Sequence, residues 1–453
     1  MYTRHWPRAA ILAILLQALR LQGGMVDARV GSAATVVQVS HDAYAAHAEP
    51  SLAANPHNPR NLLGAAQLIG AGPTVLGTFA SYDGGRSWHD NGPLPLPPGT
   101  ATGDDVTVAF DAHGTGFVCA MATPRLSSDD RGIFIWRTDD GGRTFQPPVS
   151  VVQGQFVDHP WFAAGASVGT SGDLYVAWTA RDGLAFSRSL DDGRHFSSPR
   201  IIAASPDRAA VPMIAAGPSG AVYATFESSG QGGDTPDDDT PSAHPAAAPV
   251  SSQEIEVVSS TNQGRTFGPP IKLGSAPNQF APTASIRLPT EPCVAVDSRD
   301  GTVYVAYAAA IATSGSAIFL RRSRDHGHTW SAATRVSATG GPGATFAFQP
   351  QVVVDEAGAV DISYFVLARN RIAVDLARSV TGATGFETRQ VLDGRTFDPA
   401  LGLPGGKHGL WWIGDYQGLA AADGILHPFW NDTASGRLEI VTIAVAAAAP
   451  RTR

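Results

Sequence analysis

Ser81-Tyr82-Asp83-Gly84-Gly85-Arg86-Ser87-Trp88 is a phrase this chain writes five times. It returns as Thr138-Asp139-Asp140-Gly141-Gly142-Arg143-Thr144-Phe145 and as Ser189-Leu190-Asp191-Asp192-Gly193-Arg194-His195-Phe196. Two more copies are Ser260-Thr261-Asn262-Gln263-Gly264-Arg265-Thr266-Phe267 and Ser323-Arg324-Asp325-His326-Gly327-His328-Thr329-Trp330. A worn sixth version runs from Ser379 to Phe386. The pattern is Ser/Thr-x-Asp-x-Gly-x-x-Trp/Phe, with Asn262 once in place of aspartate. Repeats at a period of roughly 50–70 residues indicate a propeller or an array, not one irregular core. Each residue in the phrase has a local structural task. The aspartate accepts main-chain N–H groups inside a turn. The glycine takes a positive φ. The terminal aromatic buries a large apolar surface between sheets.

A second pattern precedes each phrase. A polar residue, often followed by proline, opens an apolar run: Glu49-Pro50-Ser51-Leu52, Asp105-Val106-Thr107-Val108, His159-Pro160-Trp161-Phe162 and Val211-Pro212-Met213-Ile214. Glu291-Pro292-Cys293-Val294, Gln349-Pro350-Gln351-Val352 and Asp415-Tyr416-Gln417-Gly418 continue the series. After each comes a glycine turn and a β-rich run such as Val303-Tyr304-Val305-Ala306-Tyr307. A third strand leads into the aspartate phrase and a fourth follows it. The chain is thus expected to be an all-β propeller of four-stranded blades. Seven openings predict seven blades, with six as the alternative. The last blade lacks a fourth strand, which Thr35-Val36-Val37-Gln38-Val39 would supply by pairing the two chain ends and removing open sheet edges. One domain is expected over residues 35–447.

The remaining composition is consistent with this. Glycine (49) and proline (33) are frequent, as a chain that turns often requires. Formal charge is -8 without a basic run, which argues against nucleic acid as a partner. The N-terminus reads as a secretory signal over residues 1–28. Arg4, His5 and Arg8 precede an apolar run from Ala9 to Leu19 that is too short to span a bilayer. An N-terminal anchor helix is the alternative. The stretch Ser228 to Ser252, rich in Gly, Asp, Ala and Pro, is expected to be a disordered loop. Cys119 and Cys293 sit in apolar strand patterns and read as buried hydrophobes. Gly165-Ala166-Ser167-Val168-Gly169 matches a serine-hydrolase motif, but no helix pattern follows it.

The five phrases resemble the Asp box, or BNR repeat, of the sialidase superfamily, and the resemblance covers nearly all of the chain after residue 35. It implies that the phrases lie away from any active site. It also implies a search for three carboxylate-binding arginines, a tyrosine nucleophile with a glutamate partner, and an aspartate acid/base. The first family arginine sits in Arg-Ile-Pro; here Ala48-Glu49-Pro50 occupies that segment, and Ala48 cannot bind a carboxylate. Tyr416-Gln417-Gly418-Leu419 is similar to the family's nucleophile segment, so Tyr416 is the nucleophile candidate, with Glu291 as its base and Asp105 as acid/base.

Blade openings should ring the central channel. Glu49, Asp105, His159, Val211, Glu291, Gln349 and Asp415 hold equivalent positions, with Asp104 and Asp158 beside two of them. Such carboxylates raise one another's pKa or recruit a cation. Three uses stay open: a glycosidic acid/base pair formed among Asp105, Asp415 and their neighbours, calcium ligands, or caps on strand starts. Trp161, Trp411 and Trp412 stand near the same rim, and the glycine-rich Gly402 to His408 leads into the Trp pair. Indole faces can stack on sugars. Glu49, His159, Gln349 and the three tryptophans are therefore the substrate-binding candidates. The expected protein is a secreted monomer, extracellular or periplasmic. It either engages carbohydrate or a glycoconjugate, as a lectin-like module or an exo-acting glycosidase, or serves as a non-catalytic scaffold for another extracellular protein.

Overall fold

The computed structural model describes residues 35–447 except 125–130, 166–167, 171, 205–208, 230–252, 278–285, 312–314, 339–344, 380–384, 392–394 and 404–409. The signal segment 1–28, most of the worn sixth phrase, most of the 402–408 stretch and nearly all of the 228–252 loop lie outside the described residues. Ser228 and Ser229 end the strand Val222–Ser229. Among the described residues no helix is long and apolar enough to cross a membrane. The serine of the hydrolase-like motif is outside them too, and a three-residue turn of 3-10 helix, Val168–Thr170, stands after it.

Among the described residues the strands form six hydrogen-bonded sheets. Four contain four antiparallel strands each, over 46–93, 102–155, 158–204 and 209–275. A fifth has five strands and includes Val37–Gln38, which pairs antiparallel with Glu439–Thr442. The sixth is an eight-stranded sheet over 293–390. The expectation of seven separate four-stranded blades, or of six, is therefore corrected to five: among the described residues five sheets have the size of one blade, and residues 293–390 form one continuous sheet. Its two ladders join where Gly315 and Ser316 run parallel to Thr345 and Phe346. Gly315 permits that approach. Its φ is +152°, and a Cβ there would stand 2.0 Å from the Thr345 carbonyl oxygen.

Second strands are sandwiched by their neighbours and are buried on both sides. Gly116–Thr123 is buried at every residue, which is why it reads as one apolar run and not as an alternation. Trp136, Trp178, Trp430, Tyr175, Tyr223 and Tyr364 fill the spaces between sheets. Both cysteines are buried free thiols.

The repeated phrase forms the turn between third and fourth strands, as at Val75–Ser81 and His89–Pro93. Ser81 Oγ donates to Asp83 Oδ1 at 2.9 Å and accepts the Gly85 N–H at 2.8 Å. Asp83 Oδ1 also accepts the N–H groups of Arg86 and Ser87, each at 2.9 Å. The terminal aromatics fasten one sheet to the next. Trp88 packs 5.5 Å from Phe429 of the closing sheet, and Phe267 meets Phe186 edge-on at 4.9 Å.

Candidate functional site

Five blade openings share an unusual backbone. Glu49, Asp105, His159, Val211 and Gln349 have φ between +46° and +56°. At each one the ladder to the next strand slips register, as between Ala48 and Ser51 or Asp158 and Trp161. These are β-bulges, which bend a strand and re-aim its side chain. A positive φ is uncommon outside glycine and is a strained outlier for a β-branched residue such as Val211. Proline follows in four of the five; lacking an N–H, it suits a position where the ladder is already broken. Glu291 and Asp415 behave differently. They precede the strands Cys293–Val296 and Gly418–Ala422. Asp415 is placed instead by Gly414, whose φ is +101° and whose missing Cβ would lie 2.7 Å from the Glu49 nitrogen.

The openings converge on a buried polar cluster. Glu49, Asp105, Asp158, His159, Glu291, Gln349, Asp415 and Tyr416 are all more than nine-tenths buried. Gln67 Nε2 donates to Glu49 Oε2 at 2.5 Å, and the Glu49 and Asp105 carboxyls are hydrogen-bonding neighbours. The Tyr416 hydroxyl donates to the Val106 carbonyl at 3.1 Å and lies beside Glu49. Asp105 Oδ2 accepts the His159 main-chain N–H at 3.1 Å. His159 Nε2 stands 3.7 Å from Asp158 and 3.9 Å from Asp415. Asp415 Oδ1 takes Arg287 Nη1 at 3.0 Å and Trp412 Nε1 at 2.7 Å. Gln349 Nε2 donates to the Gly414 carbonyl at 2.5 Å, and Gln417 Nε2 to the Gln349 carbonyl at 2.7 Å.

Burial and like charge set the protonation of this cluster. Burial first, then the carboxylates of Asp105 and Asp415, hold Glu49 well above the ordinary carboxylate range. Burial and Asp415 do the same to Glu291, against the opposing charge of Arg287. Burial pushes the Glu227 carboxyl up to about 7, while Thr290 and Arg287 oppose the rise. Burial works against the charge on Arg287, but Asp415, Glu291, Glu49 and Asp158 outweigh it and raise the group. The Tyr416 phenol is raised by burial, then by Glu49, Asp105 and Asp415. Glu49 and Asp105 are thus two buried carboxyls in hydrogen-bond contact, placed to share a proton.

Four residues expected at the site, Tyr416, Glu49, Asp105 and Asp415, come together here. Glu291 faces Asp415, Arg287 and Glu227, and the carboxyls around Tyr416 are Glu49, Asp105 and Asp415. Trp161 meets the Tyr416 ring edge-on, with centroids 5.0 Å apart. Trp412 orients Asp415. Trp411 packs against the core that holds Phe348, Phe365 and Trp430, and its carbonyl accepts the Arg287 N–H at 3.0 Å. Among the described residues no three His, Cys, Asp or Glu side chains are grouped to hold a metal ion.

Sequence reasoning missed Arg287 and Glu227. Each carries a signal. Arg287 lies between Ile286 and Leu288, unlike the arginines of the turn phrases, and Glu227 closes the apolar run of Val222–Ser229. A charge inside an apolar run has to find a buried partner. Glu227 Oε1 accepts Thr290 Oγ1 at 2.6 Å, beside Glu291.

No protein-family model matches this chain, and no curated protein matches its sequence. Solved structures do resemble it. A PL25 ulvan lyase, a polysaccharide lyase, superposes with a TM-score of 0.51 at 11% identity, over 91% of this chain and 96% of that one. The Hadza microbial sialidase Hz136 gives 0.47 at 14% identity, over 91% and 68%. The GH93 α-L-arabinofuranosidase of Fusarium graminearum gives 0.48 at 12% identity, over 91% and 97%. At these identities the likeness is one of fold alone, an all-β propeller, and no activity carries over with it.

Proposed function

We propose that this chain is a secreted carbohydrate-active propeller whose buried ring binds a glycan and cleaves it as a divergent exo-acting glycoside hydrolase. One observation carries the reading: Glu49 and Asp105, both on strained bulges, lie against each other and beside Tyr416 in a desolvated site where burial and like charge raise the Glu49 carboxyl. Strain and perturbed carboxyls collect where chemistry is done. In this reading Glu49 gives a proton to the glycosidic oxygen as its bond to the anomeric carbon breaks, and Asp105 takes a proton from the water that adds to that carbon. Tyr416 serves as a neutral hydroxyl donor, since burial and three carboxyls oppose its ionisation. Arg287 and Trp412 fix Asp415, and His159 stands between Asp158 and Asp415. An acidic ring favours a neutral sugar at the reacting position, and Ala48 removes the first of the arginines that would hold a sialic acid. Side chains carry this chemistry without a cofactor. The positive start and apolar run of residues 1–28 support secretion in this reading.

A panel of fluorogenic glycosides, sialosides included, tests the reading with and without calcium. Turnover that falls about 100-fold or more in Asp105→Asn and Glu49→Gln, at unchanged melting temperature, supports it. Turnover indifferent to both variants sinks it. Sialoside turnover abolished by Tyr416→Phe would establish sialidase chemistry in spite of Ala48. A second reading has its own support: the ring groups are nine-tenths buried and bonded to one another, as a purely structural plug would be. Silence across both the panel and a glycan array would favour a protein-binding scaffold.

A further inference from the structure

The strand Val149–Gln155 ends where Phe156 and Val157 lead into Asp158 and His159 of the ring. Beside that junction lies a cavity of about 590 Å³, walled by Gln155, Phe156, Trp178, Arg181, Asp182 and Arg200. Asp158 pairs with Thr179 in the sheet, directly between two wall residues, Trp178 and Ala180. Arg131 completes the link. Its Nη1 reaches the Val157 carbonyl at 3.4 Å and Asp158 Oδ1 at 3.6 Å, and its guanidinium lies 5.7 Å from the Phe156 ring centroid.

The cavity is built for an anion. Arg181 stacks 5.2 Å from the Phe156 centroid, and Arg200 lies 5.4 Å from Phe186 and 5.7 Å from Phe267. Arg200 donates to the Arg265 carbonyl, and among the described residues no carboxylate pairs with it. Burial and the neighbouring Arg188 weaken its hold on its proton, a cost that a bound anion would relieve. Trp178 forms part of the cavity wall. An inorganic anion would satisfy the charge but leave most of the volume empty. An acidic peptide side chain would bring charge without the hydroxyls that Asp182 and Gln155 are placed to bond.

We infer that this cavity binds a carboxylate-bearing sugar of an acidic saccharide, as a subsite beside the ring; the inference rests on the carbohydrate-active reading above. Guanidinium recognises carboxylate in bidentate fashion, and the polar wall suits a hydroxylated ring. A polymer with neutral and acidic residues could then place the neutral one at the carboxyl ring and the acidic one here.

Calorimetric titration of the full chain with tetramers of glucuronate and galacturonate, a neutral glucose tetramer and a hexaglutamate peptide tests this. A uronate tetramer should bind at least about tenfold tighter than the neutral one, and more weakly as salt is raised. Arg200→Gln and Arg181→Gln should each weaken binding by about tenfold at unchanged melting temperature, with Arg200→Lys intermediate. Binding should also shift indole fluorescence in the wild type and less in Trp178→Phe. Equal affinity for neutral and acidic tetramers, indifference to both arginines, or no binding of either uronate overturns the inference. Tighter binding of the peptide overturns it in favour of a protein partner. Glycoside turnover that depends on Asp105 with no uronate binding overturns this subsite alone. Uronate binding with a silent ring overturns the hydrolase reading alone.

Discussion

Glu227 shows what a single buried carboxyl does to this molecule. It is 3% exposed, accepts one hydrogen bond from Thr290 and titrates at about 7 instead of the ordinary 4.5. Between those two values the folded chain holds a proton that the unfolded chain has released. The group's stabilising contribution is therefore complete below about pH 4.5 and is lost as pH rises through about 7. A displacement of that size corresponds to about 3 kcal/mol. Glu227→Gln keeps the acceptor and removes the titration. Urea denaturation across pH 4 to 9 should find the variant and the wild type equal near pH 4 and the variant more stable by about 3 kcal/mol above pH 8. Parallel curves would show that Glu227 titrates normally. Glu49 and Glu291 are displaced in the same direction, so wild-type stability should fall toward alkaline pH even without Glu227.

Among the elements, the turn phrase was legible because its bonds are local. Asp140 gathers Thr138 Oγ1 at 2.8 Å, the Arg143 and Thr144 N–H groups at 2.9 and 3.0 Å, and Thr144 Oγ1 at 2.6 Å, all within its own phrase. Spacing alone therefore spells out the geometry. Asn262 performs the same task in its copy, accepting the Thr266 N–H at 2.9 Å and donating to Thr266 Oγ1 at 2.9 Å. Asp140→Ala should destabilise the fold by about 1–3 kcal/mol in chemical denaturation, and Asp140→Asn by clearly less. Equal losses would mean that charge, not the hydrogen-bond pattern, holds the turn. The bulged openings were legible in part. Their polar residue and proline mark the ring positions, but nothing in the sequence announces a positive φ at Glu49 or Val211. Arg287 was missed for a related reason: it reaches Asp415 across the two repeats that open at Glu291 and Gln349, and no local spacing encodes that pairing.

At the scale of the whole molecule, the all-β repeat architecture was legible and the number of separate sheets was not. Sheet count turns on a two-residue parallel contact at Gly315, which no periodicity reveals. Closure rests on a small patch. Val37 and Gln38 pair with Thr442 and Val441, Val39 donates to the Ile440 carbonyl at 2.8 Å, and Ser40 Oγ donates to Glu439 Oε2 at 2.6 Å. Removing residues 36–40 should expose the edge of Glu439–Thr442. The expected result is a melting temperature lower by several degrees and self-association visible in light scattering. A truncated chain that melts and elutes like the parent would show that the strand is dispensable. The fused sheet over 293–390 carries a different consequence. Repeat proteins gain and lose length by whole modules, cut where few bonds cross the boundary. Between Ser323 and Thr345 the boundary is bridged by the main-chain pairs Gly315–Thr345 and Ser316–Phe346, so a cut there also breaks sheet pairing. Recombination that changes the number of blades should spare this stretch or move it intact.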